Sequence, residues 1–283
     1  MKLRLLSILG IIVLLALTLL LAGCDDNPVE AGQQLPDFSQ FNILLYEDAV
    51  DVEALFAQQA LDNLNANYTL ASTPDEFFSA GSGQSWDLIV VENANYNSLD
   101  MLEALRLYYL DGGRVAISTF QVSNDATHAL WSALGASFDG TISSDVDPVY
   151  KWVPGSSLFT FPNNVPNFTA MTDYTYTINN ASGTALASAT AMGGITTTPT
   201  AGNAVIFLNN SNRAILNSFL LADAATEVGD TLVPNDVDSD GVADAVEYWE
   251  NQVVFLLNQS GVAPVPFPMQ PAVTRSQGGS NAR

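Results

Sequence analysis

Residues 86–93 read WDLIVVEN. The apolar run is β-branched at Ile89, Val90 and Val91, has polar turn formers on both sides, and lacks the alternation of a strand with one wet face. It therefore reads as a strand buried on both faces, which needs helices above and below it. The expected fold class is α/β, an open, doubly wound, mostly parallel sheet of the Rossmann or flavodoxin-like kind, followed by a β-rich second half.

Upstream, FNILLY at 41–46 is a second buried strand that ends at Glu47 and Asp48. The next segment puts Val52, Leu55, Phe56, Ala60 and Leu64 on one helical face, which makes strand then helix the opening of a βαβ unit. Residues 68–71 form a short strand, and Thr73, Pro74, Asp75 and Glu76 form a capping box with proline at the first helical position. Downstream, Asn97 or Ser98 caps a helix to Leu110 that Gly112 and Gly113 end. RVAISTF at 114–120 is the next strand, and a helix is expected over 124–134 with Gly135 at its end. The strand ends carry Glu47, Asp48, Glu92, Asn93, Ser118 and Gln121, which should converge on the crevice where strand order reverses. Carboxylates there can raise one another's pKa, hold a hard cation, or merely cap helices.

This succession, from ILLYED through WDLIVVEN, LYYLDGG and RVAISTF to ALWSALGASFDG, resembles the class I glutamine amidotransferase-like fold, in particular its ThuA-like branch. The resemblance implies a Cys, His, Glu triad with the cysteine on the turn after the strand matching RVAI. Here Ser118 or Thr119 holds that place, so glutaminase activity is not expected and no catalytic residue is assigned. A serine nucleophile would need a base, and the single histidine is His128. AISTF also lacks the glycines of a GxSxG elbow.

Residues 1–23 carry Lys2 and Arg4 and then an apolar run, the layout of a secretory signal. They end in Leu21, Ala22, Gly23 before Cys24, which resembles the lipobox of bacterial lipoproteins, in which the cysteine becomes the lipidated first mature residue. Cys24 is the sole cysteine, so neither an internal disulfide nor thiol catalysis elsewhere is expected. Residues 24–40 read as a tether, which places an amidotransferase-like domain at 41–261 beside a membrane. The expected location is the cell envelope, on the periplasmic face of the inner membrane or the outer surface according to the organism. Without Lys2 and Arg4 the chain keeps six basic against thirty acidic residues, a formal charge of −24. That field repels nucleic acid and attracts divalent cations.

After Gly140, Thr, Asn, Ser, Pro and Gly increase, and residues 174–178 and 185–192 alternate at period two. Tyr150, Trp152, Phe159, Phe161, Phe168, Tyr174 and Tyr176 either line a sugar-binding shelf or fill a small core. Residues 236–247, DVDSDGVADAVE, match the twelve-residue calcium loop. Asp236, Asp238, Asp240, Asp244 and Glu247 would supply side-chain oxygens, Val242 its carbonyl, and Gly241 the sharp turn. Five carboxylates this close repel one another without a cation, so calcium is expected to be structural. The approach, 226–235, is not helical, and the loop resembles those of dockerins and thrombospondin type 3 repeats. A helix is expected over 243–259, and 262–283, rich in proline and then polar, is expected to be disordered. The functional expectation is a lipid-anchored binding or scaffold protein with a carbohydrate or protein ligand. The alternatives are an envelope hydrolase or carbohydrate-processing enzyme using the strand-end carboxylates, and a calcium-dependent adhesion module.

Overall fold

A computed structural model describes residues 35–48, 55–94, 98–119, 121–139, 148–168, 181–223, 225–228 and 231–268. The chain divides into Met1–Leu35 and Pro36–Arg283, and all of these residues but Leu35 belong to the second unit.

The first strand, β1 (Ile43–Glu47), leads to α1 (Phe56–Asn63), β2 (Tyr68–Ala71) and α2 (Pro74–Gly81). A two-residue strand, β3 (Ser85–Trp86), precedes the central β4 (Leu88–Asn93), which is followed by α3 (Leu99–Leu110) and β5 (Val115–Thr119). Then come α4 (Ala129–Leu134), β6 (Ala136–Phe138), β7 (Tyr150–Lys151), α5 (Ser157–Thr160), β8 (Gly183–Ala185), β9 (Ala189–Gly194), β10 (Ala204–Asn209) and β11 (Ala214–Asn217). A hairpin, β12 (Ala225–Val228) and β13 (Thr231–Pro234), enters α6 (Asp244–Leu257), and β14 (Val265–Pro266) closes the described chain.

The large sheet runs β2-β1-β4-β5-β11-β10-β8-β6, with β9 pairing to β10 and β7 to β9. Its first five strands are parallel, whereas β10 joins β11 antiparallel, so the sheet is mixed and mostly parallel in its sequence-first half. Chain order reverses between β1 and β4, where Ile43 pairs with Leu88 and Glu47 with Glu92.

Continuous apolar runs follow from this arrangement. Ile43, Leu45, Leu88 and Val90 pack with α1 and α6 on one face, and Leu44, Tyr46, Ile89 and Val91 pack with α2, α3 and α4 on the other. Each such side chain stabilises by about 1.5–3 kcal/mol when fully buried. At the end of α3, Gly112 takes φ +108°, and a Cβ on Gly113 would stand 2.3 Å from the Tyr108 ring. The double glycine thus lets Tyr108 lie under the turn and donate its hydroxyl to the Trp86 carbonyl at 2.8 Å.

Several expectations need correction. Residues 24–40 are not all tether, because Asp37 caps a 3-10 turn, Phe38–Gln40, and Phe38 is buried in the core. Residues 262–283 are not all disordered: β14 pairs with β3, and Phe267 packs edge-on against Phe77 at 5.3 Å between ring centres. Gly81 makes room for that ring, since a Cβ there would come within 2.7 Å of it. The aromatic among prolines is an anchor rather than a sign of disorder. The helix expected over 124–134 begins only at Ala129, because the His128 ring accepts the Leu130 N–H at 3.1 Å as its cap, and a 3-10 turn occupies Gln121–Asp125. The strand expected over 185–192 is split between β8 and β9 by a turn. Of the aromatics offered as a sugar shelf, Phe159 and Phe168 are core residues packed against Tyr248, while Tyr174 and Tyr176 lie outside the described residues. Cys24 and the leader lie outside them too. No helix of the described residues is long and apolar enough to cross a membrane.

Candidate metal centre and the carboxyl edge of the sheet

The loop at 236–247 is shaped by its own backbone. Asp236 accepts the N–H of Asp240 at 3.2 Å and of Gly241 at 2.9 Å, and Asp240 accepts that of Val242 at 2.8 Å. Gly241 has φ +96°, a left-handed conformation that costs little without a Cβ. Carboxylate oxygens of Asp236, Asp238 and Asp244 lie within 4.8 Å of one another, and so do those of Asp238, Asp240 and Glu247. Val242, whose carbonyl the pattern assigns to an ion, is half-buried. The five acidic residues singled out in the loop are therefore gathered in two groups that share Asp238.

Asp244 and Glu247 lie in the first turn of α6 and are buried, while Asp238 and Asp240 stay exposed. Burial, with the neighbouring aspartates, pushes Asp244 up to about 6 and Glu247 up to about 8. Ala243 at the N-cap offers no side-chain hydrogen bond to the helix. Glu247 Oε2 is buried and meets no donor. A buried acceptor left without a partner costs about 1–3 kcal/mol. An oxygen among acidic side chains, with no N–H or O–H to receive, is chemically suited to a hard cation, and an all-oxygen donor set of this size suits calcium.

The strand-end residues also converge, but in the interior rather than along an open cleft. Glu47, Asp48, Glu92, Asn93 and Ser118 are each at most 3% exposed. Asp48 accepts from the Tyr46 hydroxyl at 3.0 Å and from the Asn93 amide at 2.9 Å, and Thr119 donates to the Asn93 oxygen at 3.3 Å. Half-buried Gln121 donates its side-chain amide to the Ala94 carbonyl at 2.9 Å. Ser118 Oγ donates to the Phe219 carbonyl at 3.0 Å and accepts the Leu221 N–H at 2.9 Å. With its proton committed to a carbonyl, and His128 capping a helix, Ser118 is a cross-link between β5 and the turn after β11.

Glu92 accepts the Ala222 N–H at 2.6 Å and the indole N–H of Trp249 at 3.2 Å, as a carboxylate would. Its neighbour Glu47 meets no N–H or O–H donor on either oxygen. Burial raises Glu47 to about 7, offset only in part by the nearby amides of Ala57 and Gln58, where α1 starts without a side-chain cap, and by the Glu92 carboxyl. The two acids are register partners, so their titrations are linked and belong to the pair, with burial favouring the neutral form at Glu47.

Sequence reasoning missed a polar network beneath this edge. Asn217, fully buried, accepts from the Tyr248 hydroxyl at 2.9 Å and donates to the Gln252 oxygen at 2.8 Å and the Ile117 carbonyl at 3.2 Å. Glu250 accepts from Asn63 at 2.8 Å and from Asn163 at 2.7 Å, and Asn251 donates to the Asn163 carbonyl at 2.8 Å. One signal was available: no Lys or Arg occurs from 214 to 274, so the polar face of α6 carries amides and acids without the long cations of a solvated helix.

No family model matches the sequence, and no curated protein matches it. Among solved structures, the chain is similar to a Thermoplasma acidophilum protein assigned as one of the subunits of GMP synthase, with TM-score 0.46 and 12% identity over 80% of this chain and 96% of that one. It is also similar to a glutamine amidotransferase of Thermotoga maritima, with TM-score 0.42 and 10% identity over 77% and 96%. A third is a glutamine amidotransferase of Methylobacillus flagellatus, with TM-score 0.39 and 7% identity over 78% and 93%.

Proposed function

We propose that this chain is a lipid-anchored protein of the cell envelope whose α/β unit, amidotransferase-like but without the family's cysteine, works as a binding or scaffold module held together by one structural calcium ion. The observation that carries the reading is the buried, donorless Glu247 oxygen standing among Asp238 and Asp240 at the head of α6. Asp236, Asp238, Asp240, Asp244 and Glu247 would hold the ion with the Val242 carbonyl. Its contribution is charge neutralisation that fixes where α6 begins. Isolated loops of extracellular modules bind calcium at roughly 0.1 to 1 mM, a range that suits an envelope compartment. The hydrolase alternative draws less support, because Glu47 and Glu92 are enclosed and Ser118 is doubly bonded. A carbohydrate or protein is the class of ligand in keeping with the acidic surface, and nucleic acid is not.

Two measurements test the reading. At calcium a hundredfold above its Kd the chain should gain about 2.7 kcal/mol, which raises the melting temperature by roughly 5 to 10 °C over chelated protein. A melt indifferent to calcium and chelator rejects the structural ion. Separately, Cys24→Ser should move the protein from the membrane fraction to the soluble one, and persistence in the membrane fraction rejects the lipid anchor.

A further inference from the structure

The first two turns of α6 face two different things. Its first turn supplies Asp244 and Glu247 to the acidic loop. Its second turn and the start of its third supply the groups that seat the helix on the sheet: Tyr248 OH to Asn217 at 2.9 Å, Trp249 Nε1 to Glu92 at 3.2 Å, and Gln252 receiving the Asn217 amide at 2.8 Å. Glu92 and Asn217 stand at the carboxyl ends of β4 and β11, bound through β5 by the pairs Glu92 with Ser118 and Asn217 with Ser118. A residue in the first helical turn and one in the second are rigidly related only while the backbone between them is helical. That backbone starts at an N-cap with no side-chain hydrogen bond, under mutually repelling carboxylates.

We infer that Trp249 and Tyr248, through Glu92 and Asn217, are positioning residues of the acidic loop, so that calcium loading at 236–247 and hydrogen-bonded order at the carboxyl edge of the sheet are thermodynamically linked. The inference rests on the reading that the loop takes calcium. An ion that fixes the first turn also fixes the second, and a second turn seated by Glu92 and Asn217 holds Glu247 where an ion needs it. Linkage of this kind is reciprocal: whatever calcium does for the edge, the edge does for calcium affinity. The hydrogen bonds that Glu92 and Asn217 make to α6 are then held more firmly in the loaded protein than in the chelated one.

Calcium titration of the full chain by calorimetry, starting from chelated protein, decides this. Trp249→Phe keeps an aromatic ring and removes the N–H, and Tyr248→Phe removes one hydroxyl. Each deletes one hydrogen bond between α6 and the edge, Trp249→Phe also trimming the buried indole to a smaller ring, and each should weaken calcium binding roughly three- to tenfold in the folded protein. Phe267→Ala, which loosens the tail on the opposite face of the sheet, is the control: it lowers the melting temperature and leaves the calcium Kd unchanged. Having two conservative variants keeps the test intact if one fails to fold. Amide exchange at 88–93 should slow on adding calcium to the parent and respond less in either variant. If the parent binds calcium and both variants bind it as tightly, the linkage is wrong and the structural ion stands. If the parent takes no calcium, the ion falls and the linkage with it. If Phe267→Ala weakens binding as much as the α6 variants, general destabilisation explains the effect and the positioning role is overturned.

Discussion

Residues 236–247 and the ends of β1 and β4 both crowd carboxylates, five in the loop and three, Glu47, Asp48 and Glu92, at the strand ends. They are connected through α6, whose first turn supplies Asp244 and Glu247 and whose Trp249 donates to Glu92. At the strand ends, N–H and O–H donors reach Asp48 and Glu92, and burial favours the neutral form at Glu47. In the loop, donors reach Asp236, Asp240 and Asp244, yet Glu247 Oε2 receives nothing. A crowd of acids can be relieved by hydrogen-bond donors, by protons or by a cation. Which one is used depends on what else the chain brings to the place.

The largest expected effect separates protons from cations. Glu47 is raised from 4.5 to about 7, so between those values the folded chain holds a proton that the unfolded chain has released. Its contribution is complete below the unfolded pKa and declines as pH rises through about 7, a loss on the order of 3 kcal/mol. Glu47→Gln should flatten this decline and leave the variant more stable than the parent at pH 8. Denaturant melts from pH 4 to 8 in saturating calcium, where the loop stays charged, provide the check, and parallel parent and variant curves would remove the proton from the strand ends.

Next in size is the loop. Asp240→Ala removes a carboxylate that also accepts the Val242 N–H. It should abolish the calcium-dependent gain of about 2.7 kcal/mol at a hundredfold excess over the parent's Kd, while the decline set by Glu47 keeps its shape. A variant that still melts higher in calcium would mean that the ion sits elsewhere. Loss of the pH decline along with the calcium response would mean that the two acidic groups are one system.

The parts of this arrangement are unequally legible in the sequence. The doubly covered sheet can be read because Leu88, Ile89, Val90 and Val91 have no polar member, which only burial on both faces tolerates. The loop can be read because metal ligation imposes a fixed spacing within twelve consecutive residues. The strand-end residues do gather as expected, but not as cleft lining, since exposure at a sheet edge depends on what covers it. Trp249 reaches Glu92 across 157 positions, and no local pattern announces that contact. Asn217 is invisible for the same reason, its partners being Ile117, Tyr248 and Gln252. Phe267 misleads because proline content outweighs a lone aromatic, although three rings, Phe77, Phe78 and Phe267, meet there.

Ser118→Ala is the smallest and most diagnostic change. The hydroxyl donates to the Phe219 carbonyl and accepts the Leu221 N–H, so its removal leaves two buried backbone groups without their partner and should cost about 1–2 kcal/mol. Its methyl replacement fits the same space, so the fold should survive with a modestly lower denaturant midpoint and an unchanged slope. Calcium affinity should fall less than in Trp249→Phe, because Ser118 reaches Glu92 only through the turn in which Leu221 precedes Ala222, the donor to Glu92, whereas Trp249 bonds Glu92 from α6 itself. If Ser118→Ala instead abolished a hydrolytic activity while leaving the midpoint where it was, the hydroxyl would be a nucleophile and not a cross-link. The strand ends would then be the chemical site, and the loop only their support.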